Sequence, residues 1–207
     1  MSAHRILIFS LLFITFRDPV ISQDWEFVKE KDGIKIFTRD EPGSGYKAYK
    51  GEVELNATMQ QVCPILEDVE QFDDWDEDVS QIRLLANEPG KYFKYYVVYD
   101  TPWPFSDRDL CVEATITDNP ATGARQIDAR PIPDAVPPDP DLVRIIHYWQ
   151  KWIVEPEPGG KVHLVIEGFA DPAGDVPAWI ANMAITSTPY TTLSNVRAAT
   201  EKEIDQK

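Results

Sequence analysis

The chain carries 35 acidic against 20 basic residues in 207, for a formal charge of −15, and 43% of it is hydrophobic. That length suggests one domain besides any leader. So acidic a surface repels phosphate backbones and anionic leaflets, which argues against nucleic acid as a partner and leaves any membrane contact transient and apolar, since no polybasic segment would hold it there.

At the N-terminus His4 and Arg5 precede an apolar run from Ile6 to Phe16, followed by Arg17-Asp18-Pro19. The run falls short of the roughly 20 residues that span a bilayer. It reads as a secretory signal peptide over residues 1–22, cleaved near Ser22 or Gln23, with residues 23–207 as the mature domain; the competing reading is a short buried or amphipathic helix. Export would place the protein in the periplasm or outside the cell, where a disulfide is permitted. Cys63, on a helix, and Cys111, on a strand, are nonetheless expected to be separate thiols. Asn56-Ala57-Thr58 fits a glycosylation sequon and equally a helix N-cap.

Strand-like segments open the mature chain: Trp25 to Lys29, Ile34 to Arg39 after the Lys31-Asp32-Gly33 turn, and Tyr46 to Leu55. Met59, Val62, Leu66 and Val69, at steps of three and four, predict a helix from Ala57 to Val69 capped by Asn56 or Thr58. Strands are expected again at Val79 to Ala86, Lys91 to Asp100, Asp107 to Thr117, Arg125 to Ala129, Val143 to Val154 and Lys161 to Ala170, with Pro- and Gly-rich turns between them. A long helix from Pro177 to Glu203, kinked at Pro189, is expected to close the chain. The segment from Pro131 to Pro140 is too stiff for a strand centre and reads either as a plain surface loop or as the rim of a ligand tunnel. This order predicts an α+β domain: a curved antiparallel sheet with its helices on one side.

Two stretches carry a resemblance. Trp103-Pro104-Phe105-Ser106-Asp107-Arg108-Asp109 joins an aromatic turn to a strand, and Asp171-Pro172-Ala173-Gly174-Asp175-Val176-Pro177-Ala178-Trp179-Ile180-Ala181-Asn182 leads into the last helix. Together with Trp152 four residues before Pro156, they resemble the START lipid-transfer domain of the Bet v 1-like superfamily over about Trp25 to Glu203. The resemblance implies the helix-grip fold, a sheet wrapped around the long C-terminal helix with an apolar tunnel between them. It departs from the family in having Ala173-Gly174 where Gly-Gly is common, and in lacking an additional N-terminal helix.

On the strand after the signature, Arg108 shares its parity with Leu110, Val112, Ala114 and Ile116, while Asp109, Cys111, Glu113 and Thr115 share the other face. If the apolar face looks inward, Arg108 needs a partner. It is either paired internally with a carboxylate such as Asp100 or Asp107, or set to hold a ligand carboxylate or phosphate. The residues expected between sheet and helix are Tyr96, Val98, Tyr148, Leu164 and Ile166, opposed by Trp179, Met183, Thr186, Tyr190 and Leu193. With Arg108, Leu110 and Val112, these make the candidate ligand-binding set.

No catalytic or metal motif accompanies them. His147 and His163 are isolated on strands, and the acidic cluster Glu67, Asp68, Glu70, Asp73, Asp74, Asp76, Glu77 and Asp78 around Trp75 lacks EF-hand spacing and reads as solvated. No cofactor is expected. The resemblance therefore implies a monomeric, non-enzymatic carrier of a lipid or sterol-like molecule. A polyketide cyclase or aromatase using the same pocket, with Arg108, His147 and the tyrosines as candidates, is the rival reading, and an interaction module with a filled cavity the third.

Overall fold

A computed structural model describes residues 24–205 apart from Trp75 and Glu77. The signal-peptide reading and its cleavage point lie outside the described residues, as does Trp75.

Three strands lead the chain: β1 (Glu26–Lys31), β2 (Ile34–Asp40) and β3 (Lys47–Leu55). Asp32 and Gly33, at φ of 52° and 76°, supply the two left-handed positions that a tight hairpin between β1 and β2 requires. Helix α1 (Met59–Glu67) follows. Its start is fixed at Thr58, whose backbone N–H donates to the Gln61 side-chain oxygen at 2.9 Å. A 3-10 helix, Val69–Asp74, takes over the end of the expected helix.

Strands β4 (Val79–Glu88), β5 (Tyr92–Tyr99), β6 (Arg108–Asp118) and β7 (Arg125–Pro131) form a meander. Then come β8 (Val143–Arg144), β9 (Tyr148–Glu157) and β10 (Lys161–Ala170), followed by α2 (Ala178–Ala184) and α3 (Thr188–Asp205). The main sheet runs β1-β2-β3-β10-β9-β7-β6-β5-β4, with every neighbour antiparallel, and β8 lies parallel to β6 off that path. The α+β helix-grip expectation is met.

Two expected elements are broken. The strand from Val143 to Val154 divides between β8 and β9, because Arg144 is drawn to Asp109 on β6 while Tyr148 onward pairs with β10. The C-terminal helix divides as well, at Ile185–Ser187. Pro189 cannot donate to the carbonyl of Ile185, so it stands at the second position of a new helix, where its missing N–H costs nothing, and not at a kink within one helix.

Helix α3 seats its buried Leu193 and Val196 against the concave face over β2 and β3. Gly51 makes this possible: a Cβ there would lie 2.8 Å from Leu193 Cδ1 and 3.2 Å from Pro189 Cβ. Ile34, Ile36, Val53, Leu164 and Ile166 complete this packed half. Burial of each such side chain contributes about 1.5–3 kcal/mol.

The convex face carries a smaller cluster of Tyr96, Val98 and Cys111 under Leu85, Ile132, Val136 and Leu142. Here the proline-rich segment finds its place, capping the outside of the sheet through a 3-10 turn at Pro133–Ala135. The tunnel-rim reading of Pro131 to Pro140 is thus corrected, since none of these residues borders the cavity. Arg144 holds the cap. Its Nε and Nη2 grip Asp109, itself wholly buried, at 2.8 and 2.6 Å, while Nη1 donates to the carbonyls of Pro133 and Val136. Cys63 and Cys111 are both buried free thiols, one packed in the concave core and the other on the convex side.

Candidate ligand cavity

Beyond α3 the concave face is left open. A cavity of about 480 Å³ lies over β9, β7, β6 and β5, closed above by α1, α2 and the loop from Thr101 to Phe105. Its origin can be read from the register. One row across the sheet runs Tyr49, Gly168, Gln150, Ala129, Ala114, Phe93, so the middle of the curve carries mostly small side chains. The next row runs Ile36, Gly51, Ile166, Trp152, Ile127, Ile116 and is bulky where the first is small. Trp152 and Ile127, with Leu66 of α1, close the inner end.

Tyr49 divides the open half from the packed one. Its ring lies across Gly168, where a Cβ would come within 2.5 Å of it. Its hydroxyl accepts from Gln150 Nε2 at 3.3 Å, and Gln150 Oε1 accepts from Trp152 Nε1 at 3.1 Å. Burial pushes the Tyr49 phenol up to about 12 and raises those of Tyr95, Tyr99 and Tyr148 as well. These four phenols remain neutral donors and acceptors on an otherwise apolar wall.

Asp76 faces the same space, which corrects its reading as part of a solvated acidic cluster. Burial first, then the neighbouring Asp78, pushes its carboxyl up to about 6. Among the described residues no group of acidic, His or Cys side chains has the arrangement of a metal site.

Arg108 points inward as its strand parity requires and is 5% exposed. The expected ion pair with Asp100 or Asp107 does not form; the Asp107 carboxylate instead accepts the Thr101 N–H at 2.8 Å. The guanidinium donates from Nε to the Pro172 carbonyl at 3.2 Å and from Nη1 to the Ser106 carbonyl, and it lies 5.7 Å from the centre of the Phe105 ring. It thereby ties together the two sequence stretches of the family resemblance. Burial lowers its pKa, and among the described residues Nη2 has no hydrogen-bond partner.

Of the candidate set, the structure brings Arg108, Leu110 and Tyr148 together on the cavity wall. Tyr96 and Val98 face the convex cluster, so the parity expected for β5 is reversed: Phe93, Tyr95 and Tyr99 look inward. Val112, Leu164 and Ile166 are buried in the core without reaching the cavity wall. Trp179 and Met183 are 66% and 71% exposed on the outer side of α2, which turns Ile180, Ala181 and Ala184 inward. Thr186 sits in the helix break. Tyr190 turns aside to donate its hydroxyl to Asp32 at 2.5 Å, and Leu193 fills the packed half.

The mouth is marked by residues that both line the cavity and meet solvent: Trp103, 92% exposed, Pro102, Asp78 and Asp100 on one side, Ala184 and Thr188 at the helix break on the other. Sequence reasoning missed Gln150, Asp76 and the alanine pair. The alanines had a signal in the form of small residues at inward positions of adjacent strands, but using it requires the register.

The START domain profile matches residues 20–203. An uncharacterized protein of Pseudomonas aeruginosa is 28% identical over 88% of this chain and 89% of its own. The phosphatidylcholine transfer protein of Rattus norvegicus is 23% identical over 78% of this chain and 76% of its own. Among solved structures, a STAR-related lipid transfer protein from Xanthomonas axonopodis superposes with a TM-score of 0.80 at 30% identity, covering 86% of this chain and 98% of that one.

Proposed function

This chain belongs to the START-domain family, and from that premise we propose that it binds one hydrophobic small molecule in the cavity and carries it through water. The observation that carries the reading is the row of small side chains beneath α2 and the loop from Thr101 to Phe105, which leaves apolar wall without a protein partner. Each buried methylene of a ligand there contributes about 0.8 kcal/mol. Affinity then needs no reacting group, and Asp76, Arg108, Gln150 and the tyrosines stand as a few polar points on a mainly apolar wall. The protein acts as a binder and not as a catalyst. It is a monomer whose membrane contact is brief, and the segment before Gln23 exports it.

Protein purified in its full form from its own host, subjected to native mass spectrometry and solvent extraction, tests this. We expect one apolar ligand per chain, together with acceleration of that ligand's movement between donor and acceptor vesicles. A chain that leaves the host empty and takes up no lipid class from vesicles contradicts it.

A further inference from the structure

We propose that the cavity reads one uncharged oxygen of its ligand, a carbonyl or a hydroxyl, through the hydroxyl proton of Tyr49. The inference rests on the ligand-binding reading above and goes on to name a chemical group that the ligand carries on its apolar body. It follows from the direction of a chain of hydrogen bonds. An indole N–H can only donate, so the Gln150 atom that meets Trp152 Nε1 at 3.1 Å is the amide oxygen. The amide nitrogen then faces Tyr49 and donates to its hydroxyl oxygen at 3.3 Å. With that oxygen already accepting, the Tyr49 proton is turned away from Gln150, and among the described residues it has no acceptor.

The position of this donor is fixed. The Tyr49 ring lies on Gly168, where a Cβ would come within 2.5 Å of the hydroxyl, and the residue lines the cavity while itself buried. A ligand body lying across it takes the donor out of reach of water, and a buried donor left unpaired forfeits about tenfold or more in affinity. An oxygen acceptor at that point restores the bond; a plain hydrocarbon does not. The Tyr95 and Tyr148 hydroxyls, by contrast, hydrogen-bond to each other. Asp76 faces the same space, and its charge acts on the Tyr49 phenol. A ligand carboxylate set at this depth is therefore repelled, which leaves an uncharged oxygen as the group that fits.

The test titrates the full chain separately with three pyrene-labelled probes of equal chain length, a hydrocarbon, a mid-chain ketone and a mid-chain secondary alcohol, and scores Kd. The proposal predicts that at least one oxygenated probe binds about tenfold or more tighter than the hydrocarbon, the better of the two marking the group as carbonyl or hydroxyl. Tyr49→Phe, which keeps the ring over Gly168, should bring the three within about threefold by weakening the oxygenated probe while the hydrocarbon keeps its Kd. Trp152→Phe should do the same with Tyr49 intact, because an amide released from the indole turns its oxygen to take the Tyr49 proton. A hydrocarbon bound as tightly as both oxygenated probes, or a preference that survives Tyr49→Phe, overturns the proposal while leaving the lipid-binding reading intact. Failure of all three probes to bind overturns the lipid-binding reading itself. Should Tyr49→Phe fail to fold, Trp152→Phe decides, and a preference retained there overturns the proposal; should both fail, the ranking of the probes on the unaltered chain decides alone.

Discussion

Over β2, β3 and β10 the concave sheet is filled, and over β9, β7, β6 and β5 it is hollow, although both halves alternate inward and outward residues in the same way. The difference lies in what stands opposite. On the filled side Gly51 lets α3 press Leu193 into the sheet, so large residues meet large residues. On the hollow side Ala129 and Ala114 face α2, whose inward residues include Ala181 and Ala184. Small against small leaves space. An apolar void forfeits the dispersion contacts its lining would otherwise make, so the fold gives up stability on one side that a ligand can restore.

Truncation should separate the halves most sharply. Leu193→Ala opens a hole among close-packed neighbours and should cost about 4–5 kcal/mol, whereas Leu110→Ala only enlarges existing space and should cost about 2–3 kcal/mol. Chemical denaturation of both variants without ligand checks this. Equal losses would mean that the hollow half is as tightly packed as the other.

The two buried arginines on opposite faces sharpen the comparison next. Arg144 is matched by a fully buried Asp109, so Arg144→Met strands a carboxylate and should cost about 3–4 kcal/mol. Arg108 has no ion-pair partner among the described residues but donates to two carbonyls, so Arg108→Met should cost about 1–3 kcal/mol, less than Arg144→Met, while weakening ligands with an anionic head. Unchanged affinity for anionic ligands in Arg108→Met would make it a structural tie alone and not a ligand contact.

The remaining effect, confined to one pH range, concerns Asp76. Folding raises its pKa from the unfolded value of 3.8 to about 6, so the folded chain holds this proton more tightly than the unfolded one. The group therefore stabilises the protein most below about pH 4, and that contribution fades as pH rises through 6. Asp76→Asn should abolish this dependence and raise stability at pH 7–8 by on the order of 2 kcal/mol. Parallel pH–stability profiles for the two chains would exclude burial of the charge.

How much of this could be read in advance follows from the same contrast. Strands whose outer face is wet announced themselves by alternation, as in β2, and the tyrosine-rich β5 did not. Its outer residues Tyr96 and Val98 are covered by the proline-rich cap, so both faces are apolar and parity carries no signal. Arg108 was correctly oriented because Leu110, Val112 and Ala114 fix the inner face of β6, but its partners are carbonyls from a loop and from a segment 64 residues on, which spacing cannot reveal. The break before α3 was foreshadowed by Pro189 and misplaced in kind: a proline that ends one helix and one that starts the next look the same until the neighbouring turns are seen. The misassigned side chains of α2 follow from it, because a helix phased continuously from α3 points Trp179 and Met183 the wrong way. The pairing of Asp109 with Arg144 escaped notice for a similar reason, since a continuous strand from Val143 leaves Arg144 no route to β6.

The central claim is that ligand occupies the hollow half of the sheet and leaves the filled half untouched. Intermolecular nuclear Overhauser effects between a bound long-chain fatty acid and the labelled methyl groups of the protein test it most directly. The account predicts contacts to Leu110, Ala114, Ile127 and Ala129 and none to Val53, Leu164, Leu193 or Val196. Contacts to the second set, or to neither, would contradict it.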